Sequence, residues 1–120
     1  MPIRWEHESA RMLVIHVSGK LTLSEMQKSQ AAVAPIFQAQ GNMRLLLLLE
    51  NFEGWQAGNG WEDTSFSDAN DEYLSRYAIV GDEKWRDQAL MFALDGLRPV
   101  EIQYFSSGQE AAARKWLDGD

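Results

Sequence analysis

Five consecutive leucines, residues 45–49, stand between Arg44 and Glu50 near the middle of a chain of 120 residues. A helix needs about 20 apolar residues to cross a bilayer, so this run is too short to be a membrane anchor. A strand with no polar alternation has to be covered on both faces. The run therefore predicts a central strand over 43–49, in a sheet that carries helices. A buried helical turn is the competing interpretation, which the glycine before the run and the loop-like sequence after it disfavour.

The composition is that of one folded domain. Hydrophobic residues make up 45% of the chain and charged residues 24%, and five tryptophans argue against disorder. The length is that of a single domain, which we place over 1–120. The first eight residues, MPIRWEHE, lack the basic and apolar segments of a secretory signal. No integral membrane segment is predicted.

The net charge is −7, from 18 acids against 11 bases. Acidic proteins repel phosphate backbones, so we expect no nucleic-acid partner. The chain contains no cysteine. That absence excludes disulfides, thiol catalysis and thiolate metal sites, and it is compatible with the cytoplasm, where we expect the protein.

Hydrophobic periodicity predicts the element order β-β-α-β-α-β-α-β-α. The segments that alternate or run apolar, as strands do, are 3–7, 12–17, 43–49, 76–81 and 100–105. The helical segments are 22–38, 61–74, 82–96 and 107–117, with a loop rich in Gly and Asn over 51–60. Strands that alternate with helices after an opening hairpin predict an α/β fold. We expect a single mixed, mostly parallel five-stranded sheet flanked by helices.

Two helices begin with the pattern of a capping box, in which side chains at both ends of a four-residue segment satisfy the helix backbone. Thr22 with Glu25 opens the first helix, and Ser107 with Glu110 opens the last. Asp82 is placed to cap the third.

The two histidines are candidates for a metal ligand or a base. The loop length predicts a hairpin in which Trp5 faces Leu13 and His7 faces about Arg11. In that register His16 lies near the other end of the hairpin, so the two imidazoles cannot share a metal. We interpret both as structural or surface residues.

Four segments carry a resemblance to a known family. They are GKLT at 19–22, LLLLLENFEGW at 45–55, YAIVGDEKW at 77–85 and EIQYFSSGQEAAARKWL at 101–117. In this order and spacing the chain resembles the SpoIIAA-like family, a branch of the STAS-type fold that is also compared with CRAL-TRIO lipid-binding domains. None of these segments is a catalytic signature. The resemblance therefore implies a STAS-like domain without an enzymatic site.

In anti-sigma-factor antagonists of the STAS type, the loop after the central strand carries a serine that a kinase partner phosphorylates. The corresponding stretch here, 51–60, contains neither Ser nor Thr, and the first hydroxyl beyond it is Thr64. The phosphorylation switch of the family is therefore not expected in this segment.

The carboxylates and the glycine-containing turn in the middle of the chain do not form a recognisable catalytic, calcium-binding or phosphate-binding motif. Seven carboxylates lie in the middle of the chain: Glu50, Glu53, Glu62, Asp63, Asp68, Asp71 and Glu72. A solvated helix face explains most of them, and no stretch has the ligand spacing of a calcium loop. The turn at 58–60 precedes a helix but has no P-loop lysine. We predict no catalytic residue, no metal ligand and no cofactor.

The aromatic residues around the 51–60 loop are the candidate binding site. Trp55 and Trp61 flank a loop beyond the carboxyl end of the central strand, where open α/β sheets place ligands. They either cap the core or form a contact surface. The candidate ligand- or partner-binding residues are Phe52, Glu53, Trp55, Trp61, Phe66 and Tyr73.

The leading hypothesis is a non-enzymatic STAS-like module that binds another protein, or a second copy of itself, through the segment 52–73. Its aromatic side chains would be ringed by acidic residues and would favour a basic partner. The alternative, which the CRAL-TRIO comparison suggests, is a small apolar molecule or lipid bound between the 61–74 helix and the sheet. An enzyme ranks third.

Overall fold

The computed structural model describes residues 3–57, 65–93 and 100–119, with the backbone alone for 65–67. Within these residues five strands form one sheet in the order β1-β2-β3-β4-β5. β1 and β2 are antiparallel, and the other neighbouring pairs are parallel. The strands are β1 (Ile3–Ser9), β2 (Met12–Leu21), β3 (Met43–Trp55), β4 (Leu74–Gly81) and β5 (Glu101–Ser106). The predicted fold class, a mixed and mostly parallel sheet, is confirmed.

The helices follow the predicted order along the chain. They are α1 (Leu23–Gln40), α2 (Ser65–Asn70), α3 (Arg86–Phe92) and α4 (Glu110–Asp118). Two short 3₁₀ turns, Asp71–Tyr73 and Glu83–Trp85, precede β4 and α3. No helix within the described ranges is long and apolar enough to cross a membrane.

The leucine run is covered on both faces of the sheet. Leu46 and Leu48 pack in a cluster with Ala113 and Leu117 of α4. Leu45 packs on the other face, in the cluster that contains residues of α1. Because side chains alternate along a strand, neighbouring leucines face opposite helices. The prediction of a buried central strand is confirmed.

The first helix has the predicted start and stop. The Thr22 hydroxyl oxygen accepts a hydrogen bond from the Glu25 backbone N–H at 3.1 Å, and the hydroxyl donates to the Glu25 carboxylate at 2.7 Å. At the other end Gly41, with φ of 67°, donates its N–H to the Phe37 carbonyl at 2.9 Å. Glycine adopts this conformation without the steric cost of a Cβ. The helix continues past Pro35 to its end at Gln40.

Two predicted boundaries are wrong, and others lie outside the described residues. β3 does not end before a loop at residue 51 but continues to Trp55, because it stays paired with the end of β2. The helix predicted over 61–74 is limited in the described residues to α2, and Leu74 already belongs to β4. Residues 61–64 of that helix, and its neighbours 58–60 in the predicted loop, lie outside the description, as does the predicted end of the third helix at Gly96.

Two local predictions also fail. Ser107 does not cap α4; Gln109 precedes the helix, and its side chain instead accepts a hydrogen bond from the Ser106 backbone N–H at 3.1 Å. The opening hairpin is shifted by two residues from the predicted register, since Trp5 faces Ile15. The cause is a tighter turn, with strand pairing that already begins at Ser9 and Met12.

Candidate functional site

The end of β3 is shaped by a bulge. Val17 pairs with Leu49 and Gly19 pairs with Phe52, so two steps along β2 correspond to three along β3. Asn51 holds the extra position with a φ of 51°. A bulge of this kind re-aims the side chains beyond it. As a result Phe52, three residues after Leu49, packs in the same cluster as Leu49 and Val17.

Four aromatic rings meet at this end of the sheet and form what we call the aromatic cluster: Phe52, Trp55, Trp85 and Phe92. The ring centroids of Phe52 and Trp55 are 4.8 Å apart, and those of Trp55 and Trp85 are 5.8 Å apart, both edge to face. Trp55 stacks on Phe92 at 4.6 Å. Such pairs stabilise by about 0.5–1.5 kcal/mol beyond the area they bury. The cluster therefore joins β3 to α3 and the turn before it.

Gly54 makes room for the cluster. Its φ of 104° lies in a region that side chains rarely adopt. A Cβ at this position would lie 3.1 Å from Cη2 of Trp85. The Trp85 ring consequently rests directly on the backbone of β3.

The turn after β4 holds Trp85 in place. The Asp82 carboxylate accepts a hydrogen bond from the Lys84 backbone N–H at 3.0 Å. The Asp82 backbone carbonyl accepts another from the Trp85 backbone N–H at 3.0 Å. The Tyr104 hydroxyl donates to the same carbonyl at 2.6 Å. Burial raises the pKa of Tyr104 to about 12. This hydroxyl therefore keeps its proton and its hydrogen bond well above neutral pH.

The members of the cluster differ in exposure. Phe52 is 7% exposed and belongs to the core. Trp55 and Trp85 are half-buried, and Glu53 is exposed. Met91, which precedes Phe92 on α3, is 62% exposed. This end of the molecule thus carries apolar side chains that the described part of the fold leaves partly open to solvent.

The charges beside the cluster are of both signs. Glu83 is paired with Arg86, which donates to both carboxylate oxygens at 2.8 and 2.9 Å. These hydrogen bonds lower the pKa of Glu83. Lys84 lies over the Trp85 ring, with Nζ 5.3 Å from its centroid. Among the described residues the surroundings of the cluster therefore carry charges of both signs, and Glu53 is an exposed carboxylate.

The sequence-predicted site residues do not form one surface. Phe52, Glu53 and Trp55 lie together at the end of β3. Tyr73 instead packs against the cluster of α1 and the beginning of β3, since Leu74, the next residue, pairs with Met43. The structure therefore separates Tyr73 from Trp55.

The side-chain positions of two further candidate binding residues are not described. Trp61 lies outside the described residues, and Phe66 is in α2 with only its backbone described. A binding role for either stays a prediction.

The histidines lie apart, as predicted. The His7 ring Nε2 is 3.2 Å from the Ala10 carbonyl. His16 lies between two carboxylates, with Nδ1 3.1 Å from Glu50 and Nε2 3.8 Å from Glu6. Because these carboxylates face opposite ring nitrogens, the three groups do not converge on one metal position. No group of three or more potential metal ligands occurs among residues 3–57, 68–93 and 100–119.

Sequence reasoning missed the partners of Trp55. Trp85 ends the turn before α3 and Phe92 ends α3, and their contacts with Trp55 are not among those that the sequence predicts. The signal was available in principle, because the carboxyl ends of neighbouring parallel strands meet at one edge of the sheet. Met91 carried no such signal, since it falls off the apolar spacing of 85, 89 and 92.

The family model described as SpoIIAA-like matches residues 12–118. The chain belongs to the SpoIIAA-like family. No match was found among curated protein sequences.

Solved structures share this SpoIIAA-like fold. An uncharacterised protein of the DUF3478 family from Shewanella loihica PV-4 superposes with a TM-score of 0.70 at 19% identity, over 96% of this chain and 91% of the other. The unphosphorylated anti-sigma factor antagonist SpoIIAA gives 0.61 at 12% identity, over 95% and 97%. The phosphorylated Bacillus cell fate determinant SpoIIAA gives 0.57 at 13% identity, over 95% and 98%. At these identities the likeness shows the fold.

Proposed function

We propose that this SpoIIAA-like chain is a non-enzymatic regulatory module that binds another protein through the aromatic end of its sheet. The fold is one that in general serves regulatory protein interaction, and the solved SpoIIAA is an anti-sigma factor antagonist. The observation that carries the proposal is the 62% exposure of Met91 on α3, together with the half-buried rings of Trp55 and Trp85. We call these three residues and Glu53 the contact face.

The contact face has the features of a binding hot spot. Tryptophan dominates such sites because one ring buries a large area with little loss of side-chain entropy. Here both rings are already held by edge-to-face contacts with Phe52, at 4.8 Å for Trp55 and 5.2 Å for Trp85. Rings that are fixed before binding lose less freedom on binding. Methionine adds a flexible apolar side chain that adapts to a partner surface.

Charge gives the proposed partner an orientation. The exposed carboxylate of Glu53 would face a basic side chain, and Lys84, over the Trp85 ring, would face an acidic one. Such pairs at the rim of an interface contribute to specificity and to the rate of association more than to affinity. We therefore propose a partner with an apolar centre and charges of both signs, including a base opposite Glu53.

The proposed binding does not use a phosphoserine in the segment after the central strand. SpoIIAA has been solved in phosphorylated and unphosphorylated forms. Residues 51–60 of this chain contain no hydroxyl side chain.

The alternative function, an apolar ligand or lipid, stays a prediction. A groove of about 240 Å³ does lie between the middle of β3, at residues 48–50, the end of β4 and the start of α4. It is on the face of the sheet opposite the aromatic cluster, and its lining includes Glu50 and Glu110 as well as Leu48 and Val80. Carboxylates disfavour an apolar chain, so this groove gives no support to a lipid site.

The test is affinity capture from a lysate of the source organism, followed by measurement of the affinity for the captured partner. Met91→Asp places a charge on an exposed side chain of the contact face, outside the buried core. Gln27→Asp adds the same charge to an exposed position of α1 and is the matched control. We expect Met91→Asp to weaken binding at least tenfold and Gln27→Asp to leave it unchanged. Equal affinity for both variants would remove the contact face from the proposal.

A further inference from the structure

β1 is an edge strand with a free side. It pairs with β2 on one side, and among the described residues no strand pairs with the other. Six of its seven residues are exposed, and Trp5 is 37% exposed. The unpaired N–H and C=O groups of such an edge are a template for another strand. We propose that this edge pairs with the same edge of a second copy of the chain, antiparallel, with the two Trp5 residues at the centre.

The side chains of β1 divide between the two faces of the sheet. Arg4 and Glu6 share one face, where their side chains are paired at 3.2 Å and Glu6 also approaches His16 of β2 at 3.8 Å. Ile3 lies on the other face, against the cluster of Val17. Trp5 follows Ile3 on that face, because side chains alternate along a strand.

Only one symmetric register near the middle of β1 satisfies the charges. Residues directly opposite in an antiparallel pair point to the same face. A pair centred on Arg4 sets Arg4 against Arg4, and one centred on Glu6 sets Glu6 against Glu6. A pair centred on His7 sets Glu6 against Glu8. A pair centred on Trp5 sets Arg4 of each copy against Glu6 of the other and joins the two indole rings.

This self-complementarity identifies the occupant as a second copy. Charges on an edge strand usually block pairing, because a foreign strand rarely offers the matching charges. A second copy of this chain supplies the matching charges, and the twofold axis of the dimer produces two equivalent Arg4–Glu6 pairs. The surface shares no residue with the contact face, so the dimer is separate from partner binding.

Charge reversal tests the register directly. Arg4→Glu or Glu6→Arg alone sets like charges opposite each other, and the double variant restores the pairs. By sedimentation velocity over a wide concentration range, we expect wild type to dimerise and each single variant to dissociate at least tenfold more readily. The double variant should return to the wild-type constant. Lys28→Glu, an exposed charge reversal on α1, is the matched control and should not change it. A wild type that stays monomeric, singles that dimerise like wild type, or a double variant that fails to recover would overturn the proposal.

Disulfide cross-linking tests the same register without relying on charge. The chain has no cysteine, so any disulfide between two copies must form through the introduced thiol. Trp5→Cys places the two thiols directly opposite each other. In the His7→Cys dimer the two thiols are offset along the strands by four residues, which is roughly 13 Å at about 3.3 Å per residue. We expect a covalent dimer for Trp5→Cys under mild oxidation and none for His7→Cys. Equal cross-linking of both, or of neither, would rule out a register centred on Trp5.

Discussion

At the scale of single residues, Gly54 has a backbone φ of 104° and a Cβ position only 3.1 Å from the Trp85 ring. Gly54→Ala adds a methyl group in a strained conformation and against a ring, and we expect a loss of about 1–3 kcal/mol in the free energy of unfolding. Gly108→Ala has a similar φ of 90° with no atom within 4 Å, so it carries the backbone cost alone. Urea unfolding followed by tryptophan fluorescence measures both. Equal losses would show that Trp85 does not rest on Gly54.

Tyr104 gives a prediction for alkaline pH. Burial raises its pKa to about 12, whereas a tyrosine in an unfolded chain titrates near 10. Between these values the unfolded state releases the proton first, so stability is complete below about pH 10 and falls as the pH rises toward 12. Urea unfolding at a series of pH values should show this fall, and Tyr104→Phe should make it shallower. The same slope in the variant would contradict the assignment.

The hydrogen bonds of a residue could be predicted from the sequence where the partner lies nearby in the chain and no other group competes for it. The Thr22 cap was predictable because its acceptor and donor are three residues apart. Ser107 has the same spacing to Glu110, but the Gln109 side chain bonds the backbone of Ser106 instead. The extra residue at Asn51 could not be predicted, because a bulge is defined by the register with the neighbouring strand.

At the scale of elements, β3 is held between two layers of helices. Leu46 is fully buried beneath α4, while its neighbour Leu47 is half-buried on the other face. We expect Leu46→Ala to cost about 2–5 kcal/mol of unfolding free energy, because the surrounding side chains fill the cavity it leaves only in part. Leu47→Ala should cost less, and chemical denaturation compares the two. A larger loss at Leu47 would contradict the alternation of the run.

The order of the elements was predictable, but the length of β3 was not. Its apolar part is visible in the sequence, whereas the pattern of residues 51–55 is that of a loop. These residues belong to the strand because they pair with the end of β2. The pairing extends one residue further, since the Gln56 N–H donates a hydrogen bond to the Leu21 carbonyl at 2.8 Å. Pairing between segments more than 30 residues apart overrides local propensity. The candidate site moved with it, from a loop to the bulged end of a strand.

At the scale of the whole molecule, the two proposed surfaces should be independent. The contact face lies at the end of β3 and on α3, and the dimer edge lies on β1. We expect Arg4→Glu to weaken dimerisation at least tenfold and leave partner affinity unchanged. We expect Met91→Asp to weaken partner binding at least tenfold and leave dimerisation unchanged. Measuring both constants for both variants tests this. If either variant weakened both, the surfaces would have to be coupled.

The central claim is that another protein covers the aromatic end of the sheet. Hydroxyl-radical footprinting of the chain with and without its captured partner tests it most directly, because Met91 is 62% exposed and methionine is readily oxidised. We expect the partner to lower the oxidation of Met91 and Trp55 and to leave the oxidation of Trp5 unchanged. Full oxidation of Met91 and Trp55 in the complex, with protection elsewhere, would contradict it.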